Sequence, residues 1–164
     1  MLRTRVITAV VLLAVFLLAL FHLPPFGWLL FVTAVAAVAA WEWGALMQLA
    51  GVARIALGVA LATVCLLVAI AEPAAVGLAE GFSDSAWRLG VSFYLPAAFF
   101  WLLLAPVWLW RRWPLASTVP ALAAGAVLLL PLWLALVQLR QAGPLTVLAI
   151  MAVVWLADIG AYFS

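Results

Sequence analysis

The chain has 164 residues, of which 72% are hydrophobic and only 7% are charged. A soluble domain is roughly 45–50% apolar and about 25% charged, so the composition excludes a water-soluble globular protein. The mean hydropathy of +1.40 also excludes a disordered chain. The formal net charge of +2 comes from arginines that are scattered along the chain, so no basic surface for nucleic acid is predicted.

Apolar runs long enough to cross a bilayer divide the chain into six segments. A hydrocarbon core of about 30 Å requires about 20 residues of α-helix. No stretches of alternating polarity indicate a β-barrel. We therefore predict an all-α, polytopic membrane bundle of about six transmembrane helices, forming one domain over residues 1–164. The predicted segments are Val6 to Leu23, Phe26 to about Leu49, Ile55 to Ala71, Val91 to Trp110, Val119 to Gln138, and one that begins at Leu145.

The connections between these segments hold most of the charges and turn-forming residues. The predicted loops are Pro24-Pro25, Gly51 to Arg54, Glu72 to Gly90, Arg111 to Thr118, and Leu139 to Pro144. The first segment also fits a signal peptide, but Phe21, His22 and Leu23 stand where small residues of a cleavage site are needed. We expect the first helix to be retained.

The arginines predict the orientation, because short loops rich in arginine remain cytoplasmic. A cytoplasmic amino terminus places five arginines inside and two outside. The five are Arg3, Arg5, Arg54, Arg111 and Arg112, and the two are Arg88 and Arg140.

Three further patterns predict how the helices pack and bend. Tryptophans at segment ends are expected at the headgroup level: Trp28, Trp41, Trp43, Trp108, Trp110 and Trp113. Small residues four apart are expected at close helix contacts: Gly58 and Ala62, Ala36 and Ala40, and the cluster Ala123 to Ala126. Prolines inside apolar segments are expected to bend their helices: Pro96, Pro106 and Pro131.

Asp158 is the most informative single residue. It follows the thirteen apolar residues Leu145 to Ala157, and at about 1.5 Å per residue it lies about 20 Å from the outer end of its helix and about 10 Å from the cytoplasmic face. An ionised carboxylate exposed to lipid costs at least ~2.5 kcal/mol, so it must face protein, water or a metal ion. We predict a functional role. A carboxylate bonded to a neighbouring helix or paired with an arginine is the structural alternative.

Other polar residues inside or beside the apolar segments give weaker signals. Glu42, between Trp41 and Trp43, lies near the same membrane face, where it either contributes to a site or only reaches headgroup water. His22 is expected to be a solvated residue without a ligand role. Cys65, as a lone cysteine, forms neither an intrachain disulfide nor a thiol metal site.

The residues alone leave two classes of function open. A transporter or ion relay would use Asp158 to bind a coupling ion within the membrane, although no inverted repeat is visible. A non-catalytic membrane subunit would use its polar residues only for packing.

The segment Trp155 to Phe163 resembles the W-x-x-D-[TI]-[GA]-A-Y-[FY] motif of the phosphatidate cytidylyltransferases, or CDP-diacylglycerol synthases. The order of the other segments is also similar to that of bacterial members. The similar stretches are Leu2 to Ala9, Pro24-Pro25, Ala40 to Trp43, and Leu136 to Arg140.

The resemblance implies an enzyme of the bacterial inner membrane that transfers a cytidylyl group from CTP to phosphatidic acid. Asp158 matches the family aspartate that helps to hold the metal centre, so it is expected to be a catalytic metal ligand for Mg²⁺, alone or with a second cation. Membrane lipids are expected partners. A second copy of the chain, forming a homodimer, is a further candidate partner. Because the carboxy-terminal family signature is absent, we expect the 164 residues to be the amino-terminal portion of a longer enzyme and to be inactive alone.

Overall fold

The computed structural model describes residues 2–80, 84–112 and 118–163, and in these ranges the chain is helical with no β-strand. The helices are α1 (Leu2–His22), α2 (Pro25–Leu46), α3 (Gly51–Ala71), a 3₁₀ turn (Pro73–Val76), α4 (Asp84–Phe99), a π-helical turn (Phe100–Leu104), α5 (Ala105–Arg111), α6 (Thr118–Gln141) and α7 (Pro144–Phe163). The predicted all-α fold class is confirmed.

Four helical stretches among the described residues are long and apolar enough to cross a membrane. They are α2, α3, the continuous stretch Ala86–Arg111 through α4 and α5, and α6. The first and last helices contribute shorter apolar stretches, Val6–His22 and Pro144–Asp158. The six predicted segments therefore all correspond to apolar helices, four of them of full spanning length.

Two predicted loops are wrong in part because charged residues lie inside helices. The α3 helix begins at Gly51, and the amide of Arg54 already donates to the carbonyl of Ala50. The α4 helix begins at Asp84, so residues 84–90 are helical, with Ala86 fully buried. Long arginine side chains can extend from a helix toward water, which allows such helices to start earlier than the charge pattern suggests. The predicted loop Arg111 to Thr118 lies mostly outside the described residues.

Turn geometry accounts for the remaining differences at helix ends. The α2 helix ends at Leu46 rather than near Leu49, because Gln48 adopts a left-handed backbone conformation with φ of 58°. The α6 helix continues to Gln141, and the chain then turns at Gly143, whose φ is +117°. A backbone with positive φ cannot continue a right-handed helix.

The core lies where α2 and α6 pack together, with α1, α3 and α7 around them. Its largest buried side chains are Trp28 and Trp133, each 1% exposed. The indole of Trp133 donates to the Thr33 hydroxyl oxygen at 3.0 Å, and the indole of Trp28 donates to the Leu136 carbonyl at 3.2 Å. The Trp28 ring thus fills the space between helices near the start of α2. Trp110, in contrast, is 82% exposed.

The predicted small-residue contacts are confirmed in part, where α2 meets α3 and α6. Ala36 and Ala40 are buried, and so are Gly58 on α3 and Gly125 on α6. Ala62 is only half-buried, and Ala123 and Ala126 are exposed. A Cβ atom on Gly58 would lie 2.8 Å from the Ala37 carbonyl oxygen. The buried positions let the helix backbones approach closely, as small residues do in membrane proteins.

The prolines have different local effects. Pro96 and Pro131 lie inside helices that continue through them. Pro106 follows the π-helical turn, in which the Ala105 amide donates to the Phe100 carbonyl, five residues back. The predicted distortion is thus seen beside Pro106 as a widened turn, which is one way that a helix accommodates a missing amide.

Candidate functional site

The bundle has two ends, which we name by the turns that close them. At the α1–α2 end, the Arg140 side chain at the end of α6 donates to carbonyls at the end of α1. At the α2–α3 end, the indole of Trp43 donates to the Ala121 carbonyl at 2.9 Å, which joins the end of α2 to the start of α6. Trp43 thus forms a contact between helices near the end of α2, while its predicted headgroup position stays a prediction.

Asp158 is directed by its helix toward the α2–α3 end. The α7 helix starts at Pro144, directly after the α1–α2 end. Asp158 comes fourteen residues later, which is about 21 Å along a helix. One turn before it, Trp155 lines a cavity of about 360 Å³ together with Leu12 and Phe16 of α1. This cavity places the Trp155 region of α7 beside the middle of α1.

The Asp158 side chain is exposed on α7. A carboxylate offers two oxygen atoms to a cation or a donor. At this place on α7, such a ligand would approach from the α2–α3 end of the bundle.

The described residues do not assemble a complete metal site. No group of three His, Cys, Asp or Glu side chains among them could together hold a metal ion. Mg²⁺, however, is usually bound by one or two carboxylates, several waters and substrate phosphates rather than by an all-protein cage. Asp158 fits this pattern as a single carboxylate ligand.

The other charged residues at the α2–α3 end have different roles. The Glu42 side chain is exposed near the end of α2. The Arg54 guanidinium lies 4.0 Å from the centroid of the Trp41 ring, and its Nε donates to the Trp41 carbonyl at 3.3 Å. Arg54 therefore packs on α2, in addition to its expected contribution to orientation.

Two other residues lie elsewhere in the bundle. His22 ends α1 with an exposed side chain. Cys65 is fully buried in α3 as a free thiol. Neither residue belongs to the region around Asp158.

Sequence reasoning missed the polar cluster at the α1–α2 end, where it used Arg140 only to predict orientation. Arg140, Gln141 and Trp28 line a cavity there of about 340 Å³. The signal that could have revealed it is the position of an arginine and a glutamine at the end of an otherwise apolar helix, where their side chains reach back to a neighbouring turn.

Comparisons with known proteins indicate the same family as the motif around Asp158. A family model described as the cytidylyltransferase family matches residues 3–164. The chain is similar to the phosphatidate cytidylyltransferase of Pseudomonas aeruginosa, with 36% identity over 175 residues. That similarity covers 100% of this chain and 57% of the relative, so the chain spans little more than half of the relative's length. No solved structure matches the chain.

Proposed function

Since the chain belongs to the cytidylyltransferase family, we propose that it forms the amino-terminal membrane part of an enzyme that makes CDP-diacylglycerol. The observation that carries this proposal is the 36% identity to a phosphatidate cytidylyltransferase along the whole chain. The substrates are CTP and phosphatidic acid, and the products are CDP-diacylglycerol and pyrophosphate.

The proposed reaction is a nucleotidyl transfer at the α-phosphorus of CTP. A phosphate oxygen of phosphatidic acid attacks that phosphorus, and the bond from the phosphorus to the oxygen bridging the α- and β-phosphates breaks. Pyrophosphate leaves with the bond electrons. Catalysis of such transfers depends on positioning the reactants and on neutralising charge.

Asp158 is proposed to hold a divalent cation beside the reacting phosphates. A bound Mg²⁺ would supply charge stabilisation for the phosphate oxygens. Asp158 would lie about two helical turns short of the cytoplasmic membrane face, where a lipid phosphate and a water-soluble nucleotide can both reach it. Such a site also needs basic residues and further acids. We propose that these correspond to the portion of the relative that this chain does not span.

The proposal is tested with the full-length protein in membranes supplied with phosphatidic acid and CTP labelled at the α-phosphate. We expect the label to enter a chloroform-soluble product, with an equal amount of pyrophosphate released. Membranes that lack the protein are the control. A transporter or a non-catalytic subunit would give neither product, and that result would refute the proposed activity.

We further propose that the protein lies in a bacterial inner membrane with its amino terminus in the cytoplasm. The support is the distribution of arginines, with five on the proposed cytoplasmic side and two on the other. This orientation also places the end of the bundle toward which Asp158 is directed on the side where CTP is found.

Cysteine labelling measures this orientation. Ser117→Cys, between α5 and α6, should react with an impermeant maleimide only after the cells are opened. Ala79→Cys, before α4 and exposed, should react in intact cells. Cys65 needs no replacement, because it is 0% exposed. The reverse labelling pattern would contradict the proposed orientation.

The predicted outer loop, Glu72 to Gly90, is expected to take no part in catalysis, because the proposed orientation puts it across the membrane from CTP. Replacing Glu80 and Asp84 together by alanine should leave turnover within about threefold, or less than 1 kcal/mol. The measurement is CDP-diacylglycerol formation per folded molecule. A larger loss of turnover at normal expression would show that this segment takes part in catalysis.

A further inference from the structure

The cavity at the α1–α2 end, opposite to the end that Asp158 approaches, has the composition of a binding site. Its floor consists of Trp28, Val76 and Val137, which are 1–2% exposed. Its rim includes Pro25 and Ala79, whose side chains are exposed. The cavity therefore leads from the surface down to the core. Its volume of about 340 Å³ suits a headgroup-sized ligand rather than a whole lipid.

Arg140 supplies this cavity with a positive charge. Its Nε donates to the Leu20 carbonyl at 2.7 Å, and one terminal nitrogen donates to the Leu23 carbonyl at 3.1 Å. Both acceptors are neutral, so these bonds orient the guanidinium without cancelling its charge. A guanidinium carries five N–H donors in a fixed plane, and three of them remain after these two bonds.

The surroundings hold the guanidinium in place. Its central carbon lies 5.9 Å from the centroid of the Trp28 ring, and that ring is itself fixed by the bond to Leu136. The side chain of Gln141 donates to the Ala75 carbonyl at 3.1 Å, which ties the 3₁₀ turn to α6. A half-buried arginine that is already oriented loses little conformational freedom when it binds an anion.

We propose that this cavity binds the phosphate group of an anionic amphiphile, with Arg140 as its counter-charge. Arginine suits phosphate because two parallel N–H groups can bond to two phosphate oxygens. The end of α6 is at the level where lipid headgroups meet water, while the apolar floor accepts the carbon atoms attached to the phosphate. The phosphate is carried either by a membrane lipid or by a soluble compound of the same chemistry.

The test measures lipid binding to the full-length protein in neutral detergent by native mass spectrometry. Phosphatidylglycerol and phosphatidylcholine with identical acyl chains are offered at equal concentration. We expect one phosphatidylglycerol to be retained with about tenfold preference, because the choline cation of phosphatidylcholine opposes the arginine charge, whereas phosphatidylglycerol carries no cation. The preference should be lost in Arg140→Gln and in Ala79→Phe, which blocks the rim without touching the arginine.

Arg54→Gln is the matched control, since Arg54 also donates to a carbonyl and lies on an indole. It removes the same charge at the other end of the bundle and should keep the preference. Inorganic phosphate that displaces the lipid from the unmodified protein would identify a soluble phosphate as the ligand of the same site. Without such displacement the ligand is the lipid.

Two results would overturn this assignment. One is the absence of any preference for the anionic lipid together with no effect of phosphate. The other is a preference that survives Ala79→Phe, since the anion would then bind outside the cavity. Lipid binding in this cavity does not depend on the transfer reaction, so Asp158→Asn should bind phosphatidylglycerol as the unmodified protein does.

Discussion

Asp158→Asn is expected to lower CDP-diacylglycerol formation more than tenfold per folded molecule while leaving the melting temperature in detergent unchanged or slightly higher. Asparagine keeps the shape of the side chain and part of its hydrogen bonding, but it lacks the negative charge that binds a divalent cation. Loss of a metal ligand should remove several kcal/mol of transition-state stabilisation, and each 1.36 kcal/mol corresponds to about a tenfold change in rate.

The melting temperature separates this role from a structural one. An exposed carboxylate contributes little to folding, and an amide costs less than a charge within the membrane. If Asp158 were instead paired with an arginine, Asn would leave that cation unpaired and the protein would melt at a lower temperature. Activity would then fall only in proportion to the folded fraction.

Glu80→Gln provides the control for charge removal. Glu80 is also an exposed acid, but it lies before α4 and away from the end of the bundle that Asp158 approaches. Its replacement should leave specific activity within about threefold. Retention of more than about a tenth of the activity in Asp158→Asn, with normal activity in Glu80→Gln, would contradict the assignment of Asp158 as a metal ligand.

The helical segments could be predicted from the sequence because a bilayer imposes both length and apolar composition on whatever crosses it. Helix ends were harder to predict. Arg54 and Arg88 interrupt the apolar pattern, yet both lie inside helices, since a long side chain can carry its charge out of the apolar region while the backbone stays helical. Charged residues therefore indicate roughly where a helix ends, but they do not identify its terminal residue.

The identity of the core was less predictable, because lipid and protein interior are equally apolar. In a soluble protein, hydrophobic periodicity indicates the buried face of a helix. The α2 helix is apolar on every face, so nothing in its composition distinguishes Trp28, which is buried, from Trp41, which is 37% exposed. Small residues were the better guide, since Ala36, Ala40 and Gly58 all lie at close contacts.

Only part of the candidate site could be predicted from the sequence. Asp158 stands out because a carboxylate within an apolar helix makes membrane insertion less favourable, which indicates a functional role. Its expected ligand role depends on groups outside the described residues, and no local pattern specifies them. The cavity around Arg140 depends on a contact between α6 and the end of α1, which are separated by 120 residues along the chain. Such a contact leaves no signal in local sequence.

Gly58→Ala is the second substitution for which we expect a large effect, in this case on stability. The added Cβ atom would lie 2.8 Å from the Ala37 carbonyl oxygen and 3.7 Å from the Trp41 Cβ atom. The nearest of these atoms belongs to the α2 backbone, so no side-chain rotation can relieve the contact. The α2 and α3 helices must move apart, and overpacking of this kind typically costs about 1–3 kcal/mol.

Gly51→Ala in the same helix is the matched control, because a Cβ atom there would meet nothing within 4 Å. Gly51 is the first residue of α3, so alanine gains there at most the roughly 0.5–1 kcal/mol that it gains over glycine in a helix interior, and the control should melt at the same or a slightly higher temperature. Gly58→Ala gains the full interior preference but should still melt several degrees lower, at roughly 2–4 °C per kcal/mol for a chain of this size. Gly58→Leu should melt lower again. Because helical preference favours Gly58→Ala at least as much as Gly51→Ala, equal melting temperatures for the two would show that α2 and α3 do not approach as closely as the structure has them.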